Sequence, residues 1–367
     1  ARAFKNAAPT GFKALCTQNL DDTFSGDELN NPSKYFNIVE RSGFGTAGGT
    51  VTTGFPPGLI WEKTYGTSDH ALYDRIRGPG YWLETNKTDA QSGEDLDQVD
   101  GFTSTGYTLG DNEWSTATKL ISWNWNAGTT AATASTDGDI TPSAQWVNAT
   151  AGFSITKYTG TGSAATVGHG LGAKPNFVTI KCISHTGGWF ASFPGSHANT
   201  HFLNLNSDMT LTDASDSTVT GDTDPTNTEF PVGSADNNTS GRTYIMYAWT
   251  AIPGYSSFGT YEGNGNSEGP FVHVGFEPHW MLIKNIDASA NWFAFDSTMG
   301  KLLNDGKPEY IVTNHNYGQG NNPGQDGWDI NSNGFKVRTS NSEHNNNNNT
   351  IIYACFARHP SKTSRAK

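Results

Sequence analysis

Two acidic stretches are where chemistry would first be sought. Asp213, Asp216, Asp222 and Asp224 lie close together, as do Glu94, Asp95, Asp97 and Asp100. Ca2+ takes roughly six to eight oxygens from Asp, Asn and carbonyl groups, so the first stretch is the candidate calcium site. A glycosidase would need two carboxylates roughly 5–10 Å apart across a sugar. Solvated loop charge is the plainer reading of both stretches.

Aromatic and amide side chains suggest a different chemistry. Sugars stack their apolar faces on Trp or Tyr, while Asn and Asp bond the hydroxyls. The candidates in loop-like sequence are Tyr81, Trp82, Trp114, Trp146, Tyr317 and Trp328, with Asn322 and Asp326 beside the last. Core or interface packing is the competing explanation for any single Trp.

The chain has no HExxH and no P-loop. Gly168-His-Gly-Leu-Gly172 lacks the strand–helix context that phosphate binding needs and reads as a turn. The 10 His are scattered, and His70, His169 and His273 occupy unrelated positions. Cys16, Cys182 and Cys355 form neither a zinc pattern nor a disulfide framework. The reading is therefore not an enzyme.

With 23 basic and 35 acidic residues, the formal net charge is −12. That disfavours nucleic acid and anionic membrane as partners. No signal-peptide pattern or membrane-length apolar run is visible, so folding in a cytoplasm is expected.

The elements that must carry these residues come from an internal repeat. Pro57-Gly-Leu-Ile-Trp-Glu-Lys63, Pro175-Asn-Phe-Val-Thr-Ile-Lys181 and Pro278-His-Trp-Met-Leu-Ile-Lys284 share one spacing. Each follows a glycine, Gly43, Gly160 or Gly263, by 14, 15 and 15 residues. A second aromatic run comes next: His70–Asp74, Trp189–Phe193 and Trp292–Asp296. A third signal is Gly106–Leu109, Phe230–Val232 and Gly334–Val337. Closing runs are Trp123–Trp125, Tyr247–Trp249 and Ala354–Phe356. Short β-branched and aromatic runs bounded by Gly, Pro, Asn and Asp read as strands. The tightest helix candidate, Ala71–Arg77, is short.

The predicted fold class is all-β, with three tandem β-sandwich or jelly-roll-like repeats of about 100 residues each. The boundaries are a connector 1–32, repeats at 33–127, 152–250 and 255–358, a Thr/Ala/Ser-rich linker 128–151, and a tail 359–367. The Trp and Phe pairs should fill the space between the two sheets of each repeat. The short joint 251–254 should pack repeats two and three rigidly, leaving repeat one at another angle.

Several longer motifs resemble a known family. The run Pro9–Leu20 is similar to the segment that follows a SPRY-type β-sandwich in structural proteins of marine and freshwater tailed phages. There it leads into tandem β-rich repeats. Lys34-Tyr35-Phe36, Asp69–Gly78, Gly152–Gly162, Val167–Gly172, Gly259–Asn266, Gly269–Lys284 and Asn291-Trp292-Phe293 resemble motifs of those repeats. Ala1–Ala8 resembles the last strand of that SPRY domain, and the connector follows it.

The resemblance implies a virion structural protein exposed on the particle surface, a tail fibre or similar appendage, with adhesion to host-surface polysaccharide. The alternatives are a capsid decoration or collar fibre without a ligand, and an extracellular adhesin of a cell. The expected partners are other virion proteins, host polysaccharide and further copies of the chain, as a trimer or higher oligomer. Self-association is expected because sheet edges need cover and large aromatics favour interfaces. No cofactor is expected apart from the candidate Ca2+.

Overall fold

The strands form because short aromatic and β-branched runs alternate with Gly-, Asn- and Asp-rich turns. A computed structural model describes residues 31–42, 49–110, 119–214, 218–299, 309–320 and 327–357. The first unit holds β1 (Phe36–Ser42), β2 (Thr50–Thr52), β3 (Leu59–Thr64), β4 (Ala71–Asp74), β5 (Val99–Phe102), β6 (Gly106–Leu109) and β7 (Lys119–Trp125). The second holds β8 (Ala144–Asn148), β9 (Phe153–Thr159), β10 (Ala165–Gly168), β11 (Phe177–Cys182), β12 (Trp189–Ser192), β13 (His201–Asn204), β14 (Thr212–Asp213), β15 (Glu229–Val232) and β16 (Thr243–Trp249). The third holds β17 (Ser256–Glu262), β18 (Phe271–His273), β19 (Pro278–Asn285), β20 (Trp292–Asp296), β21 (Ile311–Val312), β22 (Trp328–Asn331), β23 (Gly334–Val337), a one-turn helix α1 (Ser342–Asn345) and β24 (Thr350–Ala357).

One strand order occurs three times. The large sheets run β1-β7-β3-β4, β8-β9-β16-β11-β12-β13-β14 and β17-β24-β19-β20-β21. In each, the closing strand lies between the first strand and the Pro-led strand. Lys63 pairs with Ile121, Lys181 with Ile245 and Lys284 with Ile352. A smaller sheet covers one face of each large sheet: β2-β6-β5, β10-β15 and β18-β23-β22. Gly106 and Gly334 hold matching places in the first and third of these. A Cβ on either would meet a backbone oxygen, of Val51 or Val272, at 1.8 or 2.0 Å.

Three apolar cores fill the three sandwiches. They include Ile60, Tyr73 and Tyr107 in unit one, Val178, Ile180 and Phe230 in unit two, and Met281, Phe295 and Phe335 in unit three. A fourth and larger core joins all three units. It contains Trp61, Trp123 and Trp125 from the first, Phe153, Phe177, Trp189 and Trp249 from the second, and Trp280, Trp292 and Phe356 from the third. The Trp125 ring lies 6.0 Å from Trp249, 5.6 Å from Trp280 and 5.7 Å from Phe356.

Three expectations are corrected. The largest aromatics fill the space between units, not the space between the sheets of one unit. Unit one is not set apart, because it shares the central core with the other two. The stretch 128–151 is not a plain linker: β8 lies in it and pairs with β9, extending the second sheet. The aromatic run His70–Asp74, read as a strand, holds β4, and the turn after it is held where the Asp74 carboxylate accepts from the N–H of Ile76 and of Arg77. Among the described residues, no helix is long and apolar enough to cross a membrane.

Candidate functional site

The glycan candidates do not converge. Trp328 is 3% exposed inside the third sandwich, so its faces are closed to a sugar, and that expectation is corrected. It starts β22 and faces Phe295 and Phe335, as an apolar strand residue under a second sheet should. Trp82 is half-buried against the first sandwich core, and Tyr81, also half-buried, accepts from Arg77 through its backbone oxygen. Trp146 on β8 is half-buried. Arg75 sits 5.3 Å from its ring centre and 5.1 Å from that of Phe102, forming a cation–π sandwich between units one and two. Tyr317 is the open one at 52% exposed, its ring stacked on His315 at 4.5 Å. Trp114, Asn322 and Asp326 lie outside the described residues.

The calcium candidates are engaged separately. Asp213 ends β14, with His201 at 4.0 Å. Asp222 accepts from the Thr220 hydroxyl at 2.8 Å. Asp224 pairs with Lys174 at 3.3 Å. Asp216 lies outside the described residues. Among those described, no three His, Cys, Asp or Glu are grouped to hold a metal ion.

The buried polar groups gather at the seams between units. At each seam, the segment after one unit's aromatic strand docks on the next unit's Lys-capped turn. Trp189 donates its indole N–H to the Glu84 carbonyl at 2.8 Å, and Trp292 donates to that of Asn204 at 3.0 Å. His70 holds the same position in unit one, and its Nε2 meets the Val312 carbonyl at 3.2 Å. Because Trp61 donates to His70 Nδ1, Nε2 must carry the proton. Unit one thus docks on two, two on three and three on one.

Lys63, Lys181 and Lys284 are buried at these seams. Each ammonium finds three oxygen acceptors, the number its protons require. Lys63 reaches the carbonyls of Thr64 and Gly66 and the Ser68 hydroxyl. Lys181 reaches Cys182, Gly187 and, across the seam, Thr88. Lys284 reaches Asn285, Ala288 and, across the next seam, Asp208. Burial lowers all three pKa values to about 8.

Two carboxylates face the centre. Asp74 pairs with buried Arg77 and accepts from the Tyr247 hydroxyl of unit two at 2.7 Å. Burial works against the Arg77 charge, but Asp74 outweighs it and the guanidinium pKa is raised. Asp296 accepts from the Trp123 indole of unit one at 2.8 Å and from the N–H of Thr298 and of Met299. Among the described residues no cation pairs with it, and burial lifts its pKa to about 6. These seam roles were missed in the sequence, although the thrice-placed lysine at the end of an apolar strand was their visible trace.

A family model described as a domain of unknown function (DUF7483) matches residues 31–360, and the chain belongs to that family. The match runs through all three units. No curated protein matches the chain.

Proposed function

We propose that this member of the family is a non-enzymatic structural protein of a tailed-phage virion, an exposed appendage such as a tail fibre that contacts host-surface polysaccharide. The phage assignment rests on the sequence motifs resembling tandem-repeat phage proteins. The observation that carries the structural role is the use made of the buried titratable groups. His70, Asp74, Asp296, Lys181 and Lys284 each bond across a seam between units. They hold three units around one aromatic core, which suits a load-bearing part of a particle.

Among the described residues, the exposed large apolar side chains are Leu96, Phe271 and Tyr317. The abundant aromatics are satisfied within the chain, so a homo-oligomer rests on cover for the sheet edges alone.

Antibody raised to the chain, applied to intact particles in negative stain, tests the reading. Label on the tail is expected. Label confined to the capsid would favour a decoration protein, and unlabelled particles would remove the virion assignment.

A further inference from the structure

Unit two carries a cleft of about 190 Å³ beside the turn that Lys181 caps. Cys182, Phe190 and Phe202 line its apolar part, and Asn204, Asp236 and Arg242 its polar part. Phe202 is half-buried and its ring lies parallel to that of Phe190 at 6.0 Å. The Asp236 carboxylate is exposed, and neither it nor the Arg242 guanidinium is in an ion pair among the described residues.

The same place in unit three is filled. Asn238 and Asn345 mark the correspondence, since each accepts from a backbone N–H (Thr161, Asn264) through Oδ1 at 2.9 Å and from a glycine N–H (Gly162, Gly265) through its carbonyl at 2.7 Å. One residue earlier stand Asn237 and His344; two earlier stand Asp236 and Glu343. Trp189 opposite Lys181 and Trp292 opposite Lys284 likewise match Phe190 to Phe293 and Gly188 to Asn291. In unit three the buried His344 ring sits 4.3 Å from the Phe293 ring, and Glu343 closes the rim by accepting from the Asn291 N–H and amide. In unit two Asn237 lines the cleft without a ring, its amide bonded to the Val219 carbonyl and the Gly233 N–H, and Gly188 offers no side chain to Asp236. A plug of one ring and one closed rim is therefore missing from unit two.

We propose that this cleft binds one neutral pyranose residue of a host-surface polysaccharide, an inference that rests on the glycan-adhesion reading above. The chemistry suits a sugar. Phe202 offers ring surface for the apolar face of a pyranose. Asp236 only accepts, Arg242 only donates and Asn204 does both, a set that matches hydroxyls able to do either. The volume is below the roughly 300–1,000 Å³ of sites for larger ligands and suits a single ring. The net charge of −12 disfavours a polyanionic glycan.

The test uses the full chain, saturation-transfer NMR with the methyl glycosides of glucose, galactose and mannose, and a bacterial glycan array. Two variants are compared with wild type. Arg242→Ala removes the donor. Gly188→Asn brings in the residue of unit three; a Cβ there meets the Asn204 amide at 3.2–3.4 Å, and that side chain can shift. Wild type should bind at least one glycoside and its array counterpart, and each variant should weaken binding on the order of tenfold with an unchanged circular dichroism spectrum. Undiminished binding by both variants overturns the cleft while leaving adhesion elsewhere on the chain. A wild-type chain that binds no glycoside and no array glycan overturns the cleft and the adhesion reading together.

Discussion

The three sandwich cores and the central core are built to different rules. Each sandwich core is private: its residues come from one unit, and its side chains are mostly aliphatic, Tyr and Phe. The central core draws on all three units and holds seven Trp. Trp123, Trp189 and Trp292 each send an N–H across a seam to a carboxylate or carbonyl of another unit. A Trp can fill a wide gap and still satisfy a polar partner, which an aliphatic residue cannot. The difference teaches that the units are not three independent domains on a string. Each large sheet is apolar on both faces, and the second face is covered only when the other units are in place.

The sharpest way to break this comparison is Trp125→Ala. That ring contacts Phe36 in its own unit, Trp249 in the second, and Trp280 and Phe356 in the third. The loss should reach the upper end of roughly 3–5 kcal/mol in urea unfolding. Fluorescence and circular dichroism should still follow one shared transition; two separated transitions would mean that the units fold independently. Asp74→Ala should come next, at about 3 kcal/mol, the lower end for a broken buried pair. Arg77 would lose its carboxylate but keep the carbonyls of Leu72 and Tyr81.

Most of the strand inventory was legible because short β-branched and aromatic runs between turn residues leave little choice. Gly334–Val337 and Trp292–Asp296, read from the sequence, are β23 and β20 to the residue. The centre was not legible, and the reason is physical. Alternation reports one buried face, and Val178-Thr-Ile-Lys181 alternates as a half-buried strand should, yet every residue of Phe177–Cys182, as of Leu59–Thr64, is buried. Glu62, Lys63, Thr179 and Lys181 are polar in sequence but buried in the fold, so the pattern could not announce that the second face is covered as well. Trp328 misled for a related reason: Asn- and Asp-rich flanks look like a loop, while the residue itself opens a strand under a sheet. The cleft of unit two is built from Phe202, Asn204 and Arg242, which share no motif and meet only through the sheet order.

Removing one seam lysine should have a smaller effect. Lys181→Met takes the ammonium from the carbonyls of Thr88, Cys182 and Gly187, of which Thr88 keeps the Gly187 N–H, at a cost of about 1–3 kcal/mol. Lys63→Met should cost less, since its three acceptors all belong to its own unit. Equal losses would remove the special weight given to bonds that cross a seam.

The smallest effect is the dependence of stability on pH, and its sign differs among the groups. Burial holds Lys63, Lys181 and Lys284 at about 8 in the folded chain, against about 10.4 when unfolded. Between those values the unfolded chain binds more protons, so stability rises with pH from about 8 to 10. Burial also holds His70 and His344 near 3, against about 6.5 unfolded. They add a rise from about pH 3 to 6.5 by the same logic. Asp296 acts the other way. Its pKa of about 6 is above the unfolded value, so the native chain binds more protons between about pH 4 and 6 and this group lowers stability as pH rises there. Two histidines outweigh one aspartate, so the urea midpoint should climb in two steps, with a plateau between about pH 6.5 and 8. Asp296→Asn should steepen the acid step, because the opposing group is gone. Lys284→Met should take about a third from the alkaline step, being one of three equivalent groups. A midpoint that stays flat from pH 8 to 10 would show that the lysines titrate as they do in water, and the seams would then be wetter than this packing requires.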